Sequence, residues 1–434
     1  MSVAADAPRI VLLAAKDLTF NTRVHRQAAT LARAGWRVTV AALAPPVAEL
    51  RAQAPDVHYL TLRLPHPLQA LGRRLAPQRA AGVPQTALPA APSAPRPPAP
   101  LGWLRRLALP WGELITRLLF ARACLAALGG QPCDVVQAHD SPALRAACAL
   151  ARRHRARLVY DGVEVVDGRA VFARGALARA LRRCESWYEA RLIRRADLVI
   201  TIGPALQAWM TRRYGIAPPR LLRNCREWQP ASHDRRLRAQ CALPDDARLV
   251  LFANSIAPDA GIEVLIEALA LLPADVHVAL LGPLRDPAYR AALLAHAARR
   301  GVEARLHLPP PCRADEVVSM FAGADVGVIP LQNTRANHYL ALPNRLFEMI
   351  MARLPVVVAA FPDLTALVAE HDIGLACACV DPASVARALD TLLAPARRAV
   401  LAARLEAAAR ELCWEREAAA YPDWLAALLP SARA

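Results

Sequence analysis

Two kinds of hydrophobic pattern alternate along the chain. Short unbroken apolar runs, as at Ile10–Ala15, Val250–Ala253 and Val356–Ala360, have no polar alternation and suit strands buried on both faces of a parallel sheet. Between them lie stretches of helical period, such as Thr22 to about Arg33, with Thr22 as N-cap and Gly35 closing the end. Strand, loop, helix and strand in succession make a βαβ unit and imply a parallel sheet. The pattern predicts strands at Arg9–Ala14, Trp36–Ala42, Val57–Leu64, Asp134–Ala138, Arg157–Tyr160 and Ala196–Ile202. A second series has strands at Arg248–Ala253, Val276–Leu281, Ala304–Leu308, Asp325–Ile329, Val356–Ala360 and Gly374–Cys379.

The rhythm lapses around Arg220–Cys241, and we place a domain boundary there: residues 1–225, 226–410, and terminal helices over 411–434. At 434 residues two domains are the natural expectation. Residues 76–100 carry eight prolines and eight alanines, which suits neither helix nor strand. Trp103–Leu128 is amphipathic, with Trp103, Trp111 and leucines against Arg105, Arg106, Arg117 and Arg122. It reads as a core-packing or an interfacial helix, broken at Pro110.

Composition narrows the classes. A hydrophobic content of 55% excludes a disordered chain, and no window holds the ~18 apolar residues of a membrane span. The apolar run at Ile10–Ala15 is too short for a signal peptide. Ten scattered cysteines without zinc spacing suggest a reduced, cytosolic protein with no structural metal.

The net charge of +17 is unevenly placed: residues 1–230 hold 34 basic and 14 acidic side chains, residues 231–434 hold 20 and 23. A basic first half attracts anionic partners such as phospholipid headgroups or a lipid-linked diphosphate. Nucleic acid is disfavoured, because no helix-turn-helix, zinc-finger or RNP-like signature is present.

Candidate chemistry follows from sheet geometry. Ligands of open α/β sheets lie outside the carboxyl ends of strands. That selects His139, Asp140, Asp161 and Glu164 in the first half. Arg23 and Arg26 fall in the first helix, either toward an anion or on a solvated face. The loop after the first strand has no G-x-G-x-x-G, so it lacks the usual dinucleotide fingerprint. In the second half Pro343 suits the first turn of a helix. On that helix Leu346, Phe347, Ile350 and Met351 share an apolar face, while Asn344, Arg345 and Glu348 share a polar one. Such a helix start could hold an anion at its N–H groups and a sugar hydroxyl at Glu348; the alternative is a solvated Arg345–Glu348 pair.

The whole pattern resembles the nucleotide-sugar-dependent group 1 (family four) glycosyltransferases. The resemblance rests on Asn21-Thr22-Arg23-Val24, Arg195-Ala196-Asp197-Leu198, Asn224, Gly261-Ile262-Glu263, Ala324-Asp325-Val326-Gly327 and, above all, Leu342-Pro343-Asn344-Arg345-Leu346-Phe347-Glu348. It implies an α/β GT-B fold, two doubly wound parallel-sheet Rossmann-like domains facing across a cleft. It further implies a nucleotide sugar bound in the second domain, with Glu348 on the ribose hydroxyls and Ser255, Gly261, Pro343, Asn344 and Arg345 around the diphosphate. His139 and Asp140 would face the transferred sugar, with Arg23, Asp161 and Glu164 on the acceptor side.

The family is typically retaining and metal-independent, so no cofactor is expected beyond the donor itself. A glycan or lipid-linked acceptor of the cell envelope follows, met in the cytoplasm and at the anionic inner leaflet. The chain departs from the pattern at four places: Leu340 and Val163 stand where an acid and a histidine are common, and Ser255 and Ala260 replace a basic pair. These departures leave two alternatives, a catalytically weakened GT-B protein that binds a glycan or partner, and a nucleotide-sugar epimerase.

Overall fold

The computed structural model describes residues 7–19, 21–64, 102–164, 176–232, 234–244 and 246–430. The proline- and alanine-rich stretch at 76–100 and the side chains of Trp103 and Trp111 lie outside the described residues. The chain divides into two compact units. One comprises the described residues up to Ile200 with Arg213–Ile216 and the chain from Trp424 onward; the other comprises Thr201–Arg212 and Ala217–Asp423.

The first sheet contains β1 (Arg9–Asp17), β2 (Arg37–Ala44), β3 (His58–Thr61), β4 (Val135–His139), β5 (Arg157–Asp161), β6 (Leu198–Thr201) and the two-residue β7 (Arg220–Leu221). Their order is β3-β2-β1-β4-β5-β6-β7. The paired strands from β3 to β6 run parallel. The second sheet is built from β8 (Arg248–Ala253), β9 (Val276–Leu281), β10 (Leu306–His307), β11 (Val326–Ile329), β12 (Val356–Ala359) and β13 (Gly374–Cys377), in the order β10-β9-β8-β11-β12-β13. It is likewise parallel. Strands β4, β11 and β12 are buried at every residue; β11 and β12 accordingly read as unbroken apolar runs, while β4 carries Gln137 and His139 into the buried sheet.

In each sheet the first strand lies inside the order, with the chain wound outward to both sides. The strand order therefore reverses between β1 and β4 and again between β8 and β11, and such switch points open a crevice beyond the carboxyl ends. Both candidate constellations stand at these two places.

The helices that matter here are α1 (Thr22–Arg33), α2 (Gly102–Leu128), α3 (Asp140–His154), α4 (Pro204–Tyr214), α5 (Ile262–Leu269), α6 (Asn344–Met351) and α7 (Pro362–His371). Three expectations are corrected. Helix α2 runs through Pro110 without a break; a proline removes one backbone donor, and a long helix can continue past that loss. Asn21, not Thr22, occupies the N-cap of α1, and the Thr22 hydroxyl instead accepts from Arg26 one turn on. Arg23 and Arg26 are buried, 5% and 2% exposed, so they do not form a solvated face. Among the described residues no helix is long and apolar enough to cross a membrane.

Candidate active site

At the first switch point, strand register brings the polar residues together. In the β4–β5 ladder His139 is directly opposite Asp161, and Ala14 of β1 is opposite His139 on the other side. The Asp161 carboxylate lies 3.0 Å from His139 Nδ1. It accepts from Arg23 Nε at 2.9 Å, from the Arg23 NH2 group at 2.7 Å and from Gln27 Nε2 at 3.0 Å. Gln27 is one helical turn beyond Arg23, so both reach the same carboxylate from one face of α1. Gln137, two residues before His139 on the same face of β4, donates to Gln27 Oε1 at 2.8 Å and lies 3.3 Å from His139 Nε2.

Burial penalises the Asp161 charge, but the Arg23 and His139 contacts outweigh it and hold its carboxyl far below the usual range. Burial pushes the His139 pKa down despite its bond to Asp161. His139 is therefore neutral at pH 7, with the proton on Nδ1 facing the carboxylate and Nε2 an acceptor toward Gln137.

Asp140 follows in a left-handed conformation, φ +60°, which a non-glycine residue adopts at a cost. Burial also raises its carboxyl. The Lys16 ammonium, 2.8 Å from Oδ2, outweighs that and lowers it. The other oxygen accepts from Val163 N at 3.2 Å, tying the β5 loop to the start of α3. Glu164, one residue further, is exposed.

The second constellation stands at the β8/β11 switch point. The loop Asn254–Gly261 leaves β8 and enters α5 through Gly261, whose φ is +81°. A Cβ at Gly261 would meet Pro330 O, at the end of β11, at 2.0 Å. A Cβ at Gly282, after β9, would meet Asn254 O at the same distance. Glycine at these two positions lets three loops close over the carboxyl ends of β8, β9 and β11. Gln332 Nε2 ties this edge further, donating to Cys379 O at 2.7 Å and Pro330 O at 3.1 Å. Ser255 is exposed on the rim, its N–H satisfied by the Asn254 side chain.

Helix α6 begins after Pro343, in extended conformation, and buries Leu346, Phe347, Ile350 and Met351 as the spacing predicts. Glu348 is buried too, with a side chain 10% exposed, paired to the Arg345 guanidinium, 36% exposed. The pair is thus half sunk into the fold. Asn344 accepts from the Asn224 side chain. Among the described residues no hydrogen bond or ion pair joins Ser255 or Gly261 to Arg345 or Glu348. No group of three His, Cys, Asp or Glu side chains there could hold a metal ion.

Sequence reading missed Gln27, Gln137, Lys16 and Gln332. The first two carried a legible signal, the i+4 spacing from Arg23 and the i−2 spacing from His139.

Comparison with known proteins accounts for both halves. The glycosyl transferase 4-like domain matches residues 20–225, and the glycosyl transferases group 1 domain matches residues 234–412. The chain belongs to the group 1 glycosyltransferases. It is 35% identical over 190 residues to a D-inositol 3-phosphate glycosyltransferase of Xylanimonas cellulosilytica, covering 43% of this chain and 44% of that one. It is 29% identical over 250 residues to its namesake from Streptosporangium roseum, covering 54% and 56%. The chain thus spans about half the length of these curated relatives. Among solved structures, Anabaena HepE in complex with UDP and glucose superposes with a TM-score of 0.69 at 16% identity, over 97% of this chain and 100% of that one. Sucrose-phosphate synthase from Thermosynechococcus elongatus gives 0.68 at 18% identity, over 97% and 99%. These likenesses support the GT-B fold, with a parallel α/β sheet in each half.

Proposed function

We propose that this glycosyltransferase moves a sugar from a nucleotide donor to a glycan or glycolipid acceptor of the cell envelope, with retention and without a metal. The observation that carries the reading is the half-buried Arg345–Glu348 pair at the start of α6, inside the Pro-Asn-Arg-Leu-Phe-Glu motif. Burying a carboxylate is costly unless it is paired. Arg345 engages Glu348 Oε2, and Oε1 is free to accept ribose hydroxyls. The exposed edge of the guanidinium then faces the diphosphate, aided by the first-turn amides of α5 beyond Gly261 and by the Ser255 hydroxyl. Pro343 and Asn344 frame the helix start, with Asn344 fixed by Asn224.

In the first unit neutral His139 and the neighbouring Asp140 meet the transferred sugar. Arg23 and Asp161 act on the acceptor side by fixing the imidazole, and Glu164 supplies an exposed carboxylate beside them. HepE, whose structure contains UDP and glucose, makes UDP-glucose the first donor to try. The named relatives make an inositol phosphate one acceptor to include. The basic first half suits a cytoplasmic protein working at an anionic inner leaflet.

Neutral Ser255 and Ala260 favour a second reading, a GT-B protein that binds a glycan without turnover. Transfer and donor hydrolysis with a panel of UDP and GDP sugars, comparing wild type with Glu348→Ala, tests the first. Equal activity in both would remove Glu348 from the site. Calorimetry showing no nucleotide binding at millimolar concentration would favour the second.

A further inference from the structure

The first unit has a cavity of about 480 Å³ at the edge opposite His139, beside the amino ends of β4, β5 and β6. Its walls include Arg152, Arg155, Arg157 and Arg195, with Asp134 and Asp197 as the carboxylates. Both acids are already occupied. Asp134 accepts from Arg9 N at 2.7 Å, while Asp197 accepts from Arg157 at 2.9 Å and from Leu158 N at 2.8 Å.

Helix α3 ends here, and its negative C-terminal dipole would ordinarily absorb cations. Arg153 turns away to Gly129 O beyond the end of α2, and His154, in the cavity wall, reaches Leu128 O. The guanidinium groups of Arg152, Arg155 and Arg195 keep no hydrogen bond or ion pair among the described residues. Cys148, Arg152 and Arg195 line the cavity together; burial pushes the Cys148 thiol up to about 11, while Arg195 and Arg152 pull against it. Leu158, Leu429 and Pro430 make part of the lining apolar.

We infer that this cavity is a second anion site, which takes a phosphate group, free or as the head of a phospholipid. Three guanidiniums left without a counterion around a concave surface would otherwise repel one another, and a dianionic phosphate with several acceptor oxygens satisfies them together. The site is separate from the donor constellation, and its ligand would not compete with a nucleotide.

The test uses the full chain and two charge-matched variants, Arg152→Gln/Arg195→Gln in the cavity and Arg290→Gln/Arg299→Gln on exposed helix surface elsewhere. All four side chains are exposed, so both variants should melt with the wild type. Inorganic phosphate is titrated by calorimetry with UDP held in excess. In a second arm, co-sedimentation is measured with phosphatidylglycerol-containing and with pure phosphatidylcholine vesicles. Phosphate affinity at least about tenfold weaker in the cavity variant, and unchanged in the surface variant, would support a site for free phosphate. Loss of phosphatidylglycerol-dependent co-sedimentation in the cavity variant alone would assign the phosphate to a lipid head. Binding that is absent in both arms, or equal in the two variants, would overturn the inference.

Discussion

His139 and Asp161 face each other across the β4–β5 ladder, Nδ1 to Oδ2 at 3.0 Å, with side chains 2% and 0% exposed. The register of two parallel strands thus fixes the tautomer of the imidazole. Both groups bind fewer protons folded than unfolded, because both pKa values are depressed. For Asp161 the contribution is complete above its unfolded value of about 3.9 and is lost as pH falls through the folded one. For His139 the neutral form is favoured in the fold, so stability starts to fall below its unfolded value of about 6.5. Chemical denaturation between pH 8 and pH 4 should show a loss beginning near pH 6.5, and His139→Phe should flatten that part of the slope. A wild-type stability independent of pH over this window would refute the assignment.

Asp161→Asn should be far more damaging than its near-isosteric shape suggests. Arg23, 5% exposed, would lose the carboxylate it meets through two nitrogens, and breaking such a buried pair costs about 3–5 kcal/mol. Arg23→Met with Asp161→Asn should recover part of that loss, since an apolar chain removes the buried charge itself. Urea midpoints of the two variants measure the difference.

Gly261 and Gly35 separate backbone conformation from space. Both have φ above +80°, but a Cβ at Gly35 meets nothing within 4 Å, whereas at Gly261 it meets Pro330 O at 2.0 Å. Gly35→Ala should cost only the left-handed strain, about 1 kcal/mol. Gly261→Ala must in addition part the β8 and β11 loops, so its loss of stability should be at least twice as large. Thermal melts of the two variants decide it, and equal shifts would show that the close approach relaxes freely.

Much of this was legible in the chain because parallel sheets write themselves as apolar runs. Strands β8 and β9 fall at the residues expected, and α6 buries the predicted face. The charged residues of α1 were less legible. Arg23 and Arg26 could face an anion or solvent on sequence alone, and only tertiary structure reveals that Asp161, far along the chain, receives Arg23. The same holds for Pro110, where local propensity argued for a break that a 27-residue helix overrides. Weak strand signals misled as well: at Ala304–Leu308 a short 3-10 turn comes first, and the strand is only Leu306–His307.

Asp363 caps α4 from outside its own helix, receiving Ala205 N at 2.9 Å. Burial raises its carboxyl, against that hydrogen bond. Asp363→Ala should cost about 1 kcal/mol, the usual worth of an N-cap acceptor, and Asp363→Asn less because one acceptor oxygen remains. Gly203 must stay small for this contact, since its Cβ would come within 2.3 Å of the carboxylate. Equal melts for the Ala variant and wild type would count against the cap.

Ser255 and Ala260 offer a gain-of-function experiment on the donor site. Both lie in the loop before α5, Ser255 exposed and Ala260 half-buried beside Asp259. Asp259 is itself engaged by Arg335 at 3.4 Å, so a lysine at 260 would enter a loop where one carboxylate is already shared. An arginine at 255 meets no such competitor and can extend over the rim without displacing a core side chain. If Arg345 and the α5 amides are the groups that face a diphosphate, a second guanidinium there should strengthen nucleotide binding by about 1–2 kcal/mol, roughly five- to thirtyfold in Kd. Ser255→Arg should also make that affinity more sensitive to salt, because the added contact is exposed and screened. Ala260→Lys should gain less. UDP titration of the three proteins at two ionic strengths reads both effects. An unchanged or weakened affinity in Ser255→Arg would place the diphosphate away from this loop and return the neutral rim to the non-catalytic reading.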